Sequence, residues 1–236
     1  MPLSEFSPGQ IWTMDYPVRY AGSGFNARMS VVRLDGNRLM LHSPGPMDDS
    51  TAAAISALGQ VTQIVAPGNF HYLYLARAQA RFPAAETHLC PGIERKLPGL
   101  AFDWLLGPRP PAAWSELMDQ VLIRGSRYMW EVAMLHRPSR TLLLVDAIEN
   151  VTDRTANVSW QLKAWWKLVF RMWNRPKPAP EYRLGWQDRE AARASLNRIL
   201  AWDFDRIVLS HGDNIVENAK QVAREAWTPP LARDPE

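Results

Sequence analysis

At 236 residues, 47% apolar and 22% charged, the chain can bury a sizeable core and has an ordinary globular balance. No apolar run reaches the roughly 18–20 residues of a membrane span, and the start MPLSEFSPGQ lacks the basic and apolar regions of a secretory signal. One cysteine, Cys90, excludes an internal disulfide framework and makes a reducing cytoplasm the expected compartment. The net charge of +3 is local: residues 155–180 hold Lys163, Lys167, Arg171, Arg175 and Lys177 and no acid, and without those five the 22 remaining basic residues fall below the 24 acidic ones. A basic stretch on one segment is not a general nucleic-acid surface, so nucleic acid is not an expected partner.

The first 45 residues read as β. Residues 28–34 (RMSVVRL) and 38–41 (RLML) flank Asp35-Gly36-Asn37, a strong hairpin signal. Asp48, Asp49 and Ser50 can cap a helix running to Leu58, where Gly59 ends it. Residues 61–66 (VTQIVA) suit a strand buried on both faces. Pro67-Gly68 breaks it, and residues 71–82 read as helix. Residues 87–90 form a further strand before Pro91-Gly92. This alternation predicts a sheet covered by helices.

Residues 98–114 are proline-rich and are expected to wrap the surface. Strand candidates follow at 120–124, 131–135 and 141–145. A tryptophan-rich amphipathic helix is predicted at about 158–175, and prolines 176, 178 and 180 then make a stiff, extended linker. Asp188 starts a helix to about Ala201, residues 206–209 (RIVL) form a strand, and Asp213 is the expected N-cap of the last helix. No repeat and no clear boundary divide the chain, so 1–236 reads as one α/β domain, a sandwich with helices outside.

Open α/β sheets place their sites at the carboxyl ends of strands. Four such ends carry polar groups here: His42-Ser43 after RLML, Asn69-Phe70-His71 after TQIVA, Asp146 after TLLLV, and His211-Gly212-Asp213 after RIVLS. Any one of them can simply cap a helix or satisfy loop backbone. Four together raise a second reading, since His and Asp are the ligands that a Zn²⁺ or Fe ion uses.

The segments ALGQVTQIVAPGNFH, EVAMLHRPSRTLLLVD and AWDFDRIVLSHGD resemble the metallo-β-lactamase-like superfamily. More closely, they resemble a group of uncharacterised proteins within it, over about residues 10–225. The resemblance implies an αββα sandwich of two mixed sheets. It also implies that Asp146 matches the superfamily's metal-bridging Asp, His211 its late His, and His71 the loop of its main His-x-His-x-Asp-His motif. This chain departs from that motif. The loop reads Asn69-Phe70-His71-Tyr72-Leu73-Tyr74, with one His and no Asp. Arg124-Gly125-Ser126-Arg127 stands where the middle His belongs, and His42-Ser43 replaces an early strand-end Asp.

What remains is a reduced site for one ion, with His71, Asp146 and His211 as ligands and His42 as a fourth ligand or a partner behind them. Asp213 can take or deliver a proton if it is not the helix cap. One reading is a metal-dependent hydrolase for an unknown small ester or phosphoester. The other is a non-catalytic binding or scaffold protein that has lost the metal.

Residues 159–175 (SWQLKAWWKLVFRMWNR) place Leu162, Trp165, Trp166, Val169, Phe170 and Trp173 on one arc and the cations on another. Such a helix suits docking on its own sheet or a lid over the pocket, a homodimer interface, or contact with a membrane surface. Cys90 is expected to be a buried structural thiol, and His88 and His136 to face solvent. Gly22-Ser23-Gly24 lacks the strand-to-helix setting of a nucleophile elbow.

Overall fold

The structure, a computed structural model, describes residues 2–232. The larger sheet contains β1 (Ser4–Ser7), β2 (Ile11–Tyr20), β3 (Ser23–Arg33), β4 (Arg38–His42), β5 (Gln60–Ala66), β6 (Glu86–Leu89) and β7 (Trp104–Leu105), side by side in chain order. The smaller contains β8 (Met118–Ile123), β9 (Glu131–His136), β10 (Thr141–Leu144) and β11 (Arg206–Leu209), ordered β11-β10-β9-β8. Both are mixed. β1 to β4 pair antiparallel, whereas β4-β5-β6-β7 and β10-β11 pair parallel.

Side-chain alternation along the smaller sheet builds the layers. Val132 and Met134 of β9, Leu143 of β10 and Val208 of β11 face the larger sheet and share its core. Their neighbours Ala133, Leu135, Leu142, Leu144, Ile207 and Leu209 face the other way, onto α5 (Pro180–Gly185), α6 (Arg189–Leu200) and α7 (Ala219–Ala226). Ile55 of α1 (Asp49–Leu58) and Leu75 and Ala78 of α2 (Leu75–Arg81) cover the larger sheet, and the short α3 is Ile93–Lys96. The result is helix, sheet, sheet, helix. Asp48 caps α1 by accepting from Thr51 N at 2.7 Å, and Asp188 caps α6 by accepting from Ala191 N at 2.9 Å. Among the described residues no helix is long and apolar enough to cross a membrane.

Several expectations are corrected. Residues 71–74 are not helical. His71 N bonds back to Gly68 O at 2.8 Å, and α2 begins only at Leu75, so the turn swings His71 away from the helix. His88 and His136 are fully buried, because β6 and β9 are covered on both faces. His88 Nε2 meets Gln63 Oε1 at 2.6 Å. His136 bonds Ser139 Oγ at 2.7 Å and Arg33 O at 3.1 Å. Asp213 does not cap the last helix. The chain stays extended past it, pairing Ile215 with Ile207, and α7 starts after Asn218.

The tryptophan-rich helix is shorter than its periodicity suggests. α4 (Trp160–Ala164) passes into a π-helical turn (Trp165–Val169), and the chain unwinds at Arg171, whose φ is +53°. Residues 176–180 lie docked on the body: Lys177 and Glu149 exchange backbone bonds of 2.7 and 3.1 Å, and Pro178, Ala179 and Pro180 are buried.

Candidate metal centre

The carboxyl ends of β5, β10 and β11 converge on one rim. His71, Asp146 and His211 each offer a ligand atom there, all within 4.8 Å of one another. His71 Nε2 lies 3.3 Å from the Asp146 carboxylate and His211 Nε2 3.5 Å from it. All three side chains are at most a tenth exposed. Donors around one ion with bonds near 2.0–2.2 Å keep spacings of about 3.3 Å, so the two imidazole–carboxylate separations fit a shared ion.

The backs of the imidazoles are also tied. His71 Nδ1 pairs with Ser43 Oγ at 2.8 Å, and His211 Nδ1 donates to Asn26 O at 3.1 Å. With the proton on Nδ1, each Nε2 would be free to face an ion, the usual arrangement behind metal-ligating histidines.

Each of the three side chains is held by residues distant in the chain. Asn69 fixes the His71 loop to the start of β9: Asn69 N donates to Trp130 O at 2.9 Å, Trp130 N donates to Asn69 Oδ1 at 3.1 Å, and Asn69 Nδ2 donates to Tyr128 O at 3.1 Å. Arg28, anchored on Asp15, donates to Leu209 O at 2.6 Å, Gly212 O at 2.9 Å and Asn214 Oδ1 at 2.8 Å, so it clamps the His211 loop onto β3. The Asp146 turn closes around the buried Glu131 carboxylate. Glu131 accepts from Val145 N at 2.7 Å, Asp146 N at 2.9 Å and Ala147 N at 2.6 Å.

The charges are mutually arranged. Burial opposes ionisation of Asp146, but His71 and His211 outweigh it and hold its carboxyl well below the usual carboxylate range. Burial likewise opposes a charge on His211, and the bond and charge of Asp146 with the charge of Glu149 outweigh it and raise the imidazole. Burial, reinforced by Asp146, pushes Glu131 upward against its three hydrogen bonds.

His42 stands apart from the trio. It is fully buried with Nε2 unpartnered, and burial and the nearby His71 push it down to about 3. Asp213 does not line the cavity above the rim; its Oδ2 accepts the hydroxyls of Thr152 and Thr155. Cys90 is a buried thiol pushed upward by burial, its Sγ 3.4 Å from Trp130 O.

Glu149 is a site residue that sequence reasoning missed. It lines the cavity, its Oε2 is buried without a partner, and burial pushes its carboxyl up to about 8. No glycine, spacing or motif announces it.

The rim is the floor of a cavity of about 360 Å³ whose walls include the aromatic side chains Tyr16, Phe25, Phe70, Tyr74, Trp166 and Phe170. Phe25 meets the His211 ring edge-on at 5.2 Å. α4 and the π-helical turn form one wall, through Leu162 and Trp165, so the tryptophan-rich segment docks beside the cavity instead of lying free. Ser159 fixes it, donating N–H to Gly24 O at 2.9 Å and accepting from Gly24 N at 3.0 Å.

The fold is that of metallo-β-lactamases. It is similar to a metallo-β-lactamase from Pontibacter korlensis (TM-score 0.65, 10% identity, covering 98% of this chain and 99% of that one). It is also similar to DIM-1 metallo-β-lactamase exposed to ceftazidime (0.64, 9%, 95% of each chain) and to VMB-1 (0.65, 9%, 95% of each). No curated protein matches the sequence. The sequence model of the domain of unknown function DUF4336 matches residues 8–189, and the chain belongs to that family.

Proposed function

We propose that the chain is a metal-dependent hydrolase with a single Zn²⁺ or Fe ion held by His71, Asp146 and His211. The observation that carries this reading is the convergence of two oriented imidazoles and one ionised carboxylate at the floor of the cavity. The donor set of two nitrogens and one oxygen would suit either ion. A divalent ion held there would supply Lewis acidity and a water nucleophile near neutral pH.

The chain's own residues do the rest. Ser43 and Asn26 fix the two imidazoles, and Glu131 fixes the turn that presents Asp146. The aromatic walls exclude bulk water and strengthen every charge interaction within. Glu149, with an unpaired carboxyl oxygen in the same cavity, is placed to hand a proton to a leaving group. Asp213 is engaged by two threonines, so we assign that role to Glu149.

The substrate class is a small ester or phosphoester. Hydrolysis of a panel of nitrophenyl esters and phosphodiesters tests the proposal. Turnover should vanish with a chelator and return with Zn²⁺ or Fe²⁺. Turnover indifferent to chelation, or none with metal restored, would refute it.

A further inference from the structure

The cavity mouth is ringed by apolar side chains left in solvent, and they come from three separate parts of the chain. Tyr20 stands at the end of β2, Phe70 and Leu73 in the loop after β5, and Trp165 on the π-helical turn; all four line the cavity. Leu73 is 71% exposed and Trp165 49%, and beside Trp165 the same turn carries Leu168 at 77% and Val169 at 56%. Trp160, one helical turn earlier, is 75% exposed. Side chains of this size scattered singly need no explanation, but gathered round one opening they mark an interaction surface.

Charge decides what that surface meets. Lys163, Lys167, Arg171 and Arg175 share the segment with these residues and are exposed, and Arg19 lines the cavity itself. Lys96 lies 4.0 Å above the Phe70 ring. The facing acids are few. Glu181 is bonded by the Tyr20 hydroxyl at 3.1 Å, and Asp153, which faces Lys163 and Lys167, is bonded by Trp173 and Asn174. A protein partner is recognised by shape and paired polar groups, whereas an anionic lipid surface needs only tryptophans at headgroup depth and cations beside them.

We propose that this apolar, basic crest docks the chain on an anionic bilayer surface, so that the cavity opens toward lipid and the substrate is an amphiphilic ester whose hydrocarbon part enters between the aromatic walls. The inference rests on the hydrolase reading of the rim for its substrate class but not for the docking itself.

Flotation separates the two. The purified full chain should float at low salt with vesicles made of equal parts phosphatidylcholine and phosphatidylglycerol, and far less with phosphatidylcholine alone. Each cation near such a surface raises affinity roughly fivefold, so added salt should release the protein. The double variant Leu168→Glu, Val169→Glu should lose more than tenfold in vesicle affinity while keeping its metal and its turnover of a soluble ester. Trp104→Glu, at an exposed apolar site on the edge of the larger sheet, should float as the parent does.

A folded parent that stays at the bottom of the gradient, a Trp104 variant as impaired as the double variant, or a dimer that hides this crest and binds no vesicle would each overturn the docking. In a series of nitrophenyl esters, kcat/KM should rise about threefold to fourfold per methylene until the cavity is full. A flat series with metal-dependent turnover intact would overturn the amphiphile and leave the hydrolase standing.

Discussion

Glu131→Gln isolates the device that presents Asp146. The carboxylate takes one N–H on Oε1, from Val145 at 2.7 Å, and two on Oε2, from Asp146 at 2.9 Å and Ala147 at 2.6 Å. Glutamine has the same shape but only one accepting oxygen. Its best placement keeps the Oε2 pair and turns the amide NH₂ toward Val145 N–H, leaving two buried donors face to face. A buried donor without a partner costs about 1–3 kcal/mol, so the two together should cost about 2–6 kcal/mol, to be set against the roughly 5–15 kcal/mol of a typical domain. The turn then relaxes and carries Asp146 with it, and loss of such a supporting contact weakens metal binding about 10- to 100-fold. Urea denaturation gives the first quantity and competition with a chelator of known affinity the second. A variant within about 0.5 kcal/mol of the parent, with unchanged metal affinity, would show that Glu131 does not hold the turn.

Three other outcomes follow from the geometry. Gly212 has a φ of +83°, and an added Cβ would meet Asn150 O at 2.2 Å, so Gly212→Ala should destabilise by about 3 kcal/mol or more and displace His211, read as a lower melting temperature and lost metal. His88 and His136 are pushed by burial from an ordinary 6.5 down to about 4. As pH falls below 6.5 the unfolded chain takes up these protons first, so stability is lost between about pH 6.5 and 4, by about 3 kcal/mol for each group; His136→Gln should flatten that decline in urea midpoints measured across the range, and an unchanged slope would contradict the assignment. Glu149→Gln removes a proton and little else, so kcat on a nitrophenyl ester should fall about 100-fold with KM nearly constant; unchanged kcat would leave Glu149 a wall residue.

The convergence of the three rim side chains was legible for a physical reason. Parallel strands put their carboxyl ends on one side, so His71, Asp146 and His211, each just past an apolar run, fall on a common rim whatever the loops do between them. The positions of loops and supports were not legible in this way. Residues 71–74 keep a helical pattern, yet the bond from His71 N to Gly68 O spends them on a turn. Asp213 has the composition of an N-cap, but pairing of Ile215 with Ile207 carries the chain onward as extended backbone. His88 and His136 read as solvent-facing because alternation identifies an outer face only when water covers it, and β9 is buried at every position. In the tryptophan-rich segment the four-residue spacing of cations continues past the point where the π-helical turn ends the helix, and Met172 turns inward. Arg28 and Glu131 act through partners distant in sequence, and Glu149 is brought into the cavity only by the fold, so no local pattern marks them.

Metal content measured by mass spectrometry on chain purified without chelator, after growth with zinc and iron supplied, tests the central claim most directly. One ion per chain is expected in the parent and none in folded His211→Ala or Asp146→Asn. A folded parent free of metal, or a His211→Ala variant that keeps its ion, would contradict it.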